Sequence, residues 1–279
     1  MISPLLLCTD LDRTVLPNGS QPESRNARPF FKKLAAKTGV ILAYVSGRDQ
    51  KLLLDAIAEF DLPLPDYAVC DVGTTIYEIS GNRWQAWNSW QEEIQADWQG
   101  KNWQDLRALL ADLDFLELQE PEKQKTFKLS YYTRAAFELE KTLARIRCRL
   151  EQAGIRASLI WSVDEPVQRG LLDILPESAN KLQAITFLMR RKGFDAGHTV
   201  FAGDSGNDMA VLTSGLKAIL VGNASREVRD EAQRYLAATD QLEQLYIARG
   251  DFLGMNGNYA AGVVEGVGHF FPEILADIS

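Results

Sequence analysis

The chain has 279 residues, enough for one large domain or two ordinary ones with their own cores. Thirty Lys and Arg against 38 Asp and Glu leave a net charge of −8 with no basic block, which argues against a phosphate-backbone binder. A hydrophobic fraction of 46% with 24% charged residues is that of a globular protein, and no apolar run approaches the roughly 18 residues of a membrane span, so neither nucleic acid nor membrane is an expected partner.

Leu5 to Leu7 is apolar, has no basic segment before it and soon meets Asp10, which predicts a buried first strand over Leu5–Thr9 rather than a secretory signal. Helix formers fill Ser24 to Lys37, VILAYV at Val40–Val45 reads as a second strand, and Lys51 to Phe60 repeats apolar residues at helical spacing. Asp66–Cys70 is a third strand candidate, followed by Asp71-Val72-Gly73. This alternation predicts an α/β fold with a doubly wound, Rossmann-like parallel sheet, and ligands at the C-terminal ends of its strands. From about Asn82 the composition changes: all six tryptophans fall between Trp84 and Trp161. A helix at Trp103–Leu113, a strand at Phe127–Thr133, a helix at Ala135–Gln152 and a strand at Ser158–Val163 predict an α+β insert. After Leu171 the first pattern resumes, with a helix at Lys181–Lys192 and strands at Thr199–Ala202 and Ala218–Val221. The expected division is therefore a core of 1–81 with 172–279 and an inserted domain of 82–171. Cys8, Cys70 and Cys148 are odd in number and far apart, so no disulfide framework is indicated and a reducing, cytoplasmic compartment is expected.

Four segments carry candidate chemistry. Asp10-Leu-Asp12-Arg-Thr14 sets two carboxylates at spacing two where the first strand ends; unpaired, they would repel, and a divalent cation would relieve that. Gly203-Asp204-Ser-Gly-Asn207-Asp208 adds two acids in the same strand-then-loop context, completing the oxygen-rich ligand set that Mg²⁺ takes. Ser46 ends VILAYV and precedes Gly47-Arg48, offering a hydroxyl and backbone N–H groups to a phosphoryl oxygen. Lys181 opens a predicted helix, where its ammonium can neutralise a phosphate.

In this order, DxDxT, strand-Ser, Lys and GDxxND, the segments resemble the haloacid dehalogenase-type phosphatases over about residues 1–80 and 172–279. The resemblance implies Asp10 as nucleophile forming an aspartyl-phosphate, Asp12 as general acid and then base, and Ser46 and Lys181 as phosphoryl ligands. It implies Mg²⁺ held by Asp10, the Asp12 carbonyl and Asp204, with Asp208 at the metal or orienting its ligands. Asp at position 12 points to phosphatase or mutase chemistry. Between Asp12 and Ser46 lie 33 residues, too few for a domain, but 134 separate Ser46 from Lys181; the insert is thus a C2-type cap, expected to act as a lid over a small substrate. Asp71-Val72-Gly73-Thr-Thr75-Ile-Tyr77 resembles the VGxxIY loop of sucrose-6-phosphate phosphatases, as do Lys128-Leu-Ser130-Tyr131, Asp173-Ile-Leu-Pro176 and the tail from Ala260 to Phe270. That branch implies substrate contacts at Gly47, Arg48, Lys128, Ser130 and Asn207.

Phosphatases of mannosylfructose or glucosylglycerol phosphate, a hexose-phosphate mutase, and a non-catalytic sugar-phosphate-binding partner of a synthase remain open readings. A monomer is expected, and association with a sugar-phosphate synthase stays open. Trp84, Trp87 and Trp90 are expected to pack rather than to stack on sugar. His198 and His269, far apart, are expected to be structural, and Arg145, Arg147 and Arg149 to form a solvated helix face. Cys8 is read as a buried strand residue.

Overall fold

A computed structural model describes residues 4–134, 139–164 and 169–276. The chain forms two compact units, Met1–Ala86 with Lys181–Ser279, and Trp87–Asn180. Both boundaries fall later than the composition change suggests. Arg83–Ala86 completes a hairpin belonging to the first unit, and Arg169–Pro176 is the strand on which the second unit's sheet is built.

The first unit begins with β1 (Leu5–Thr9), α1 (Ala27–Ala35), β2 (Val40–Val45), α2 (Gln50–Glu59), β3 (Tyr67–Cys70), β4 (Thr75–Ser80) and β5 (Arg83–Ala86). The second unit contains α3 (Asn88–Ile94), α4 (Trp103–Leu109), β6 (Glu117–Leu118), β7 (Leu129–Arg134), α5 (Leu139–Gln152), β8 (Ala157–Asp164) and β9 (Arg169–Pro176). The start of the expected helix at 135–138 lies outside the described residues. The first unit then resumes with α6 (Lys181–Lys192), β10 (Thr199–Gly203), α7 (Met209–Leu212), β11 (Lys217–Leu220), α8 (Arg226–Ala238), β12 (Leu245–Ile247), α9 (Ala260–Phe270) and α10 (Pro272–Leu275).

In the first unit the sheet order is β12-β11-β10-β1-β2-β3-β4-β5. The six strands from β12 to β3 run parallel, and β4 and β5 extend the edge antiparallel. The parallel strands are apolar at successive positions because both faces are covered. Leu5, Leu7, Leu42, Tyr44, Val200 and Ile219 join a core with Phe31 and Leu34 of α1 and Val263, Val264 and Val267 of α9. Their neighbours Leu6, Cys8, Phe201 and Leu220 point to the other face by the two-residue period of a strand, and are equally buried. Chain order reverses between β1 and β10, which are adjacent although far apart in sequence. The crevice at their C-terminal ends is where such sheets bind ligands.

The described residues of the second unit form an antiparallel sheet, β6-β7-β9-β8, with the helices α3, α4 and α5. Leu106 of α4, Leu143, Ile146 and Leu150 of α5, and Leu129, Leu172 and Ile174 of the sheet are all buried, as are Trp90 and Trp98. Trp98 meets Phe127 edge-on at 6.0 Å. In the first unit Trp84 packs edge-on against Tyr77 at 5.6 Å. Trp84 and Trp90 therefore serve packing.

Candidate active site

Asp10 follows β1 directly, and its N–H donates to the Ala202 carbonyl at 2.9 Å, continuing the β1–β10 ladder. Asp204 follows β10 in the same way, so both carboxylates stand at the point where chain order reverses. The chain then turns tightly: Asp208 folds back, and its Oδ2 accepts N–H bonds from Asp204 at 3.1 Å and Ser205 at 3.2 Å. Only glycine permits this at position 203, because a Cβ there would lie 2.6 Å from Asp208 Oδ2. Helix α6 begins with Lys181, whose Nζ reaches Asp10 Oδ1 at 3.0 Å and Asp208 Oδ1 at 2.7 Å.

Carboxylate oxygens of Asp10, Asp204 and Asp208 lie within 4.8 Å of one another, and all three residues are buried. Against three carboxylates stand the buried Lys181 and Arg13, which pairs with Asp204 Oδ2 at 3.2 Å from a side chain 47% exposed. Burial pushes the Asp10 carboxyl up to about 7, with Lys181 opposing and Asp208 adding to the rise. Burial, with Asp208 adding, likewise raises Asp204 to about 6. For Lys181, burial favours the neutral amine but Asp10 and Asp208 outweigh it, so its pKa rises and it stays an ammonium. A buried oxygen-donor cluster with an excess of negative charge is the ligand set of a hard divalent cation.

The Asp12 carboxylate stands outside this cluster. It takes a fork from Arg48, Nε at 2.9 Å and Nη2 at 2.7 Å, and a bond from Asn18 Nδ2 at 2.7 Å. Burial alone would raise its pKa, but the Arg48 bonds and charge outweigh burial and hold it below the ordinary range. Ser46 is buried at the end of β2, and its Oγ accepts the Arg48 N–H at 3.2 Å. Gly47 and Asn207 are exposed in the two loops.

The segments expected from the sequence thus fall into three local groups. Asp10, Asp204 and Asp208 cluster, with Lys181 paired to Asp10 and Asp208, and Asp12, Arg48, Ser46 and Gly47 form a second group in the same unit. Lys128 and Ser130 belong to the second unit. There Ser130 Oγ donates to Asp173 Oδ1 at 2.6 Å and Lys128 Nζ pairs with Asp173 Oδ2 at 3.3 Å. Arg48, expected at the phosphate, spends two nitrogens on Asp12 and donates Nη1 to the Leu52 carbonyl at 3.3 Å.

Sequence reasoning overlooked Arg13, Asn18 and Asn223. Asn223 Nδ2 donates to the Arg13 carbonyl at 2.6 Å and so fixes the loop that carries Asp12. Arg13 lies inside the DxDxT segment and Asn18 four residues after it, which is their only local signal; Asn223 has none. His198 rests on Asp195 at 2.9 Å and His269 stacks on Tyr246 at 4.3 Å, both outside these groups. Arg149 forks onto Asp112 on the surface.

The family model for sucrose-6F-phosphate phosphohydrolase matches residues 3–271. The chain is 58% identical over 276 residues to a HAD-like hydrolase of Nitrosococcus oceani, spanning 99% of this chain and 74% of that one. It is 29% identical to the mannosylfructose-phosphate phosphatase of Agrobacterium fabrum, spanning 95% of this chain and 96% of the relative. Its fold is similar to that of the sucrose-phosphatase of Synechocystis sp. solved with sucrose and phosphate, with a TM-score of 0.70, 24% identity, and coverage of 96% and 98% of the two chains. The chain belongs to the sucrose-6F-phosphate phosphohydrolase family and is a haloacid dehalogenase-type sugar-phosphate phosphatase.

Proposed function

We propose that the chain hydrolyses sucrose 6-phosphate to sucrose and inorganic phosphate, with Asp10 as the nucleophile. The observation that carries this reading is the convergence of Asp10, Asp204, Asp208 and Lys181 at the end of β1 and β10, with Asp12 two residues from Asp10. An Asp10 carboxylate oxygen attacks phosphorus in line, the bond from phosphorus to the sugar oxygen breaks, and Asp12 gives its proton to that leaving oxygen. Asp12 then takes a proton from the water that cleaves the aspartyl-phosphate, which returns Asp10 and frees phosphate. Because Arg48 and Asn18 hold Asp12 as a carboxylate, it must take up a proton as substrate binds. Lys181 and Ser46 hold the phosphoryl oxygens, Lys181 by charge and Ser46 by its hydroxyl.

Mg²⁺ suits the donor set of Asp10, Asp204 and the Asp12 carbonyl, and when bound it offsets the negative charge of phosphate and carboxylates. Asp208 is occupied by Lys181 and by the Asp204–Ser205 backbone, which supports an orienting role. The unit Trp87–Asn180 is assigned the choice of leaving group, and Lys128 and Ser130 contact with the sugar. Gly47 and Asn207 are assigned places beside the phosphate. The three cysteines are free, which suits work in the cytoplasm.

The full-length similarity to a mannosylfructose-phosphate phosphatase favours that disaccharide phosphate as the second reading. The test is phosphate release from sucrose 6-phosphate, mannosylfructose phosphate and hexose phosphates, with Mg²⁺ and with chelator. Preference for sucrose 6-phosphate that chelator abolishes is expected. Release from another sugar phosphate changes the substrate and keeps the chemistry. Asp10→Asn is expected to abolish release with the fold intact, and substantial remaining turnover would remove Asp10 as nucleophile.

A further inference from the structure

β3 ends in a turn that an L-amino-acid chain rarely makes. Asp71, Val72 and Gly73 all have left-handed backbones, with φ of 53°, 60° and 97°. The Thr74 N–H closes the turn on the Asp71 carbonyl at 3.3 Å. Glycine adopts this region freely and aspartate tolerates it, but a β-branched valine there is an outlier. Glycine or asparagine at position 72 would make the same turn with less strain, so the turn alone does not account for valine. Strain of this kind persists where something else requires the side chain.

The surroundings of Val72 indicate what that is. The Asp71 N–H donates to the Arg48 carbonyl at 2.9 Å and the Ser46 N–H to the Val69 carbonyl at 2.9 Å, so the turn is tied to the Ser46–Arg48 loop. Val72 is half-buried, and its Cγ2 lies 3.9 Å from the point a Cβ on Gly47 would occupy. Arg48, the next residue, grips Asp12. Val72 therefore stands beside Gly47, whose neighbour Arg48 holds Asp12, the residue assigned above to the leaving oxygen.

We infer that Val72 is a specificity-determining residue, whose isopropyl group forms an apolar wall beside Gly47 against which the leaving sugar seats. This rests on the assignment of Asp10 and Asp12 above. The bare Gly47 leaves room next to that wall, and the left-handed backbone at Val72 aims the side chain at it.

The experiment compares wild type with Val72→Ala, Val72→Gly and Val72→Asn in the full chain. It reads the melting temperature, and kcat/KM for whichever sugar phosphate the wild type hydrolyses best relative to acetyl phosphate, whose leaving group is too small to reach the wall. All three variants are expected to lower that ratio at least tenfold, chiefly through KM for the sugar phosphate. Gly and Asn are expected to raise the melting temperature by about 2–4 °C over Ala, because glycine has no Cβ to strain and the asparagine side chain offsets the left-handed conformation by bonding locally to the backbone, whereas alanine does neither. An unchanged ratio in Val72→Ala, or parallel losses on both substrates, would overturn the inference. The first would mean the side chain selects nothing, the second that the turn only supports the loop. Equal melting temperatures for Ala, Gly and Asn would remove the strain on which it stands. If wild type releases no phosphate in an Asp10-dependent way, the phosphatase assignment fails first, and this inference falls with it.

Discussion

Three buried carboxylates, two of them paired with Lys181 and the third with Arg13, make the stability of the metal-free protein depend on pH in a direction that can be worked out. Asp10 is raised to about 7 and Asp204 to about 6, from an ordinary aspartate value of 3.8, burial being the main cause of both. Each holds a proton in the folded chain over a range where the unfolded chain has lost it. Their contribution is therefore complete below 3.8 and is lost as pH rises to about 6 for Asp204 and about 7 for Asp10. One such proton is worth about 1.4 kcal/mol per pH unit. From pH 5 to pH 8 Asp10 loses about two units' worth and Asp204 about one, roughly 4 kcal/mol, or about 3 kcal/mol after allowing for the water that reaches Asp204. Mg²⁺ competes with those protons, so the stabilisation it gives should grow across the same window.

The assay is scanning calorimetry at pH 5 and pH 8, with chelator and with Mg²⁺ in excess. With chelator the site's share of the change is a fall of about 6–10 °C from pH 5 to pH 8. Mg²⁺ should shift the melting temperature little at pH 5 and by several degrees at pH 8. Asp10→Asn separates this from other titrating groups: it should remove most of the fall in the chelator profile and shrink the Mg²⁺ shift, while Asp204→Asn removes only the smaller remainder. A Mg²⁺ shift of equal size at both pH values, or an Asp10→Asn profile that overlays wild type, would refute the reasoning.

Lys181→Met leaves Asp10 and Asp208 buried without their shared ammonium, so urea unfolding at pH 8 should show a loss of about 3–5 kcal/mol, less at pH 5 where Asp10 carries a proton. A loss below about 1 kcal/mol at pH 8 would contradict that account. Trp98→Phe removes a buried Nε1–H that has no hydrogen-bond partner among the described residues, so the change should cost only about 1 kcal/mol despite complete burial of the ring. Loss of more than about 3 kcal/mol by the same method would show that the N–H is bonded.

How much of this was legible in the sequence follows from how local each signal is. Strands β1, β2 and β10 are covered on both faces and so appear as unbroken apolar runs, and the acids that follow them mark the strand ends. The hairpin β4–β5 is less plain. Its alternating residues, Thr75-Ile-Tyr-Glu-Ile-Ser80, and the turn at Gly81-Asn82 carry the pattern of an edge strand, but the composition change at Asn82 drew the boundary through it. In the second unit, Lys128 and Ser130 come to notice only through the resemblance of Lys128-Leu-Ser130-Tyr131 to the sucrose-6-phosphate phosphatases. Their partner Asp173 comes from β9, in register with Ser130, a pairing that only the folded sheet reveals.

The same contrast separates the motifs from their connections. Asp10, Asp204 and Asp208 are each recognisable because each follows a strand end within a distinctive motif, whereas Lys181 is recognisable only from its place in the order of the motifs. The bonds between Arg48 and Asp12, 36 residues apart, and between Thr14 and Asp204, 190 apart, leave no mark on either segment. The difference matters chemically, because the Arg48 bonds outweigh burial at Asp12 while the Thr14 bond only opposes it weakly at Asp204. Asp12 and Asp204 are both aspartates beside an arginine, yet Arg48 meets Asp12 with a two-point fork and holds it ionised, while Arg13 touches Asp204 through one exposed nitrogen and burial prevails. A sequence can supply the acids, but how readily each takes up a proton depends on how deeply it is buried and how squarely its partner meets it. Val72 follows the same logic on the backbone: its residue type is visible in the sequence, and its left-handed conformation, the property that makes it worth testing, exists only once the chain has folded.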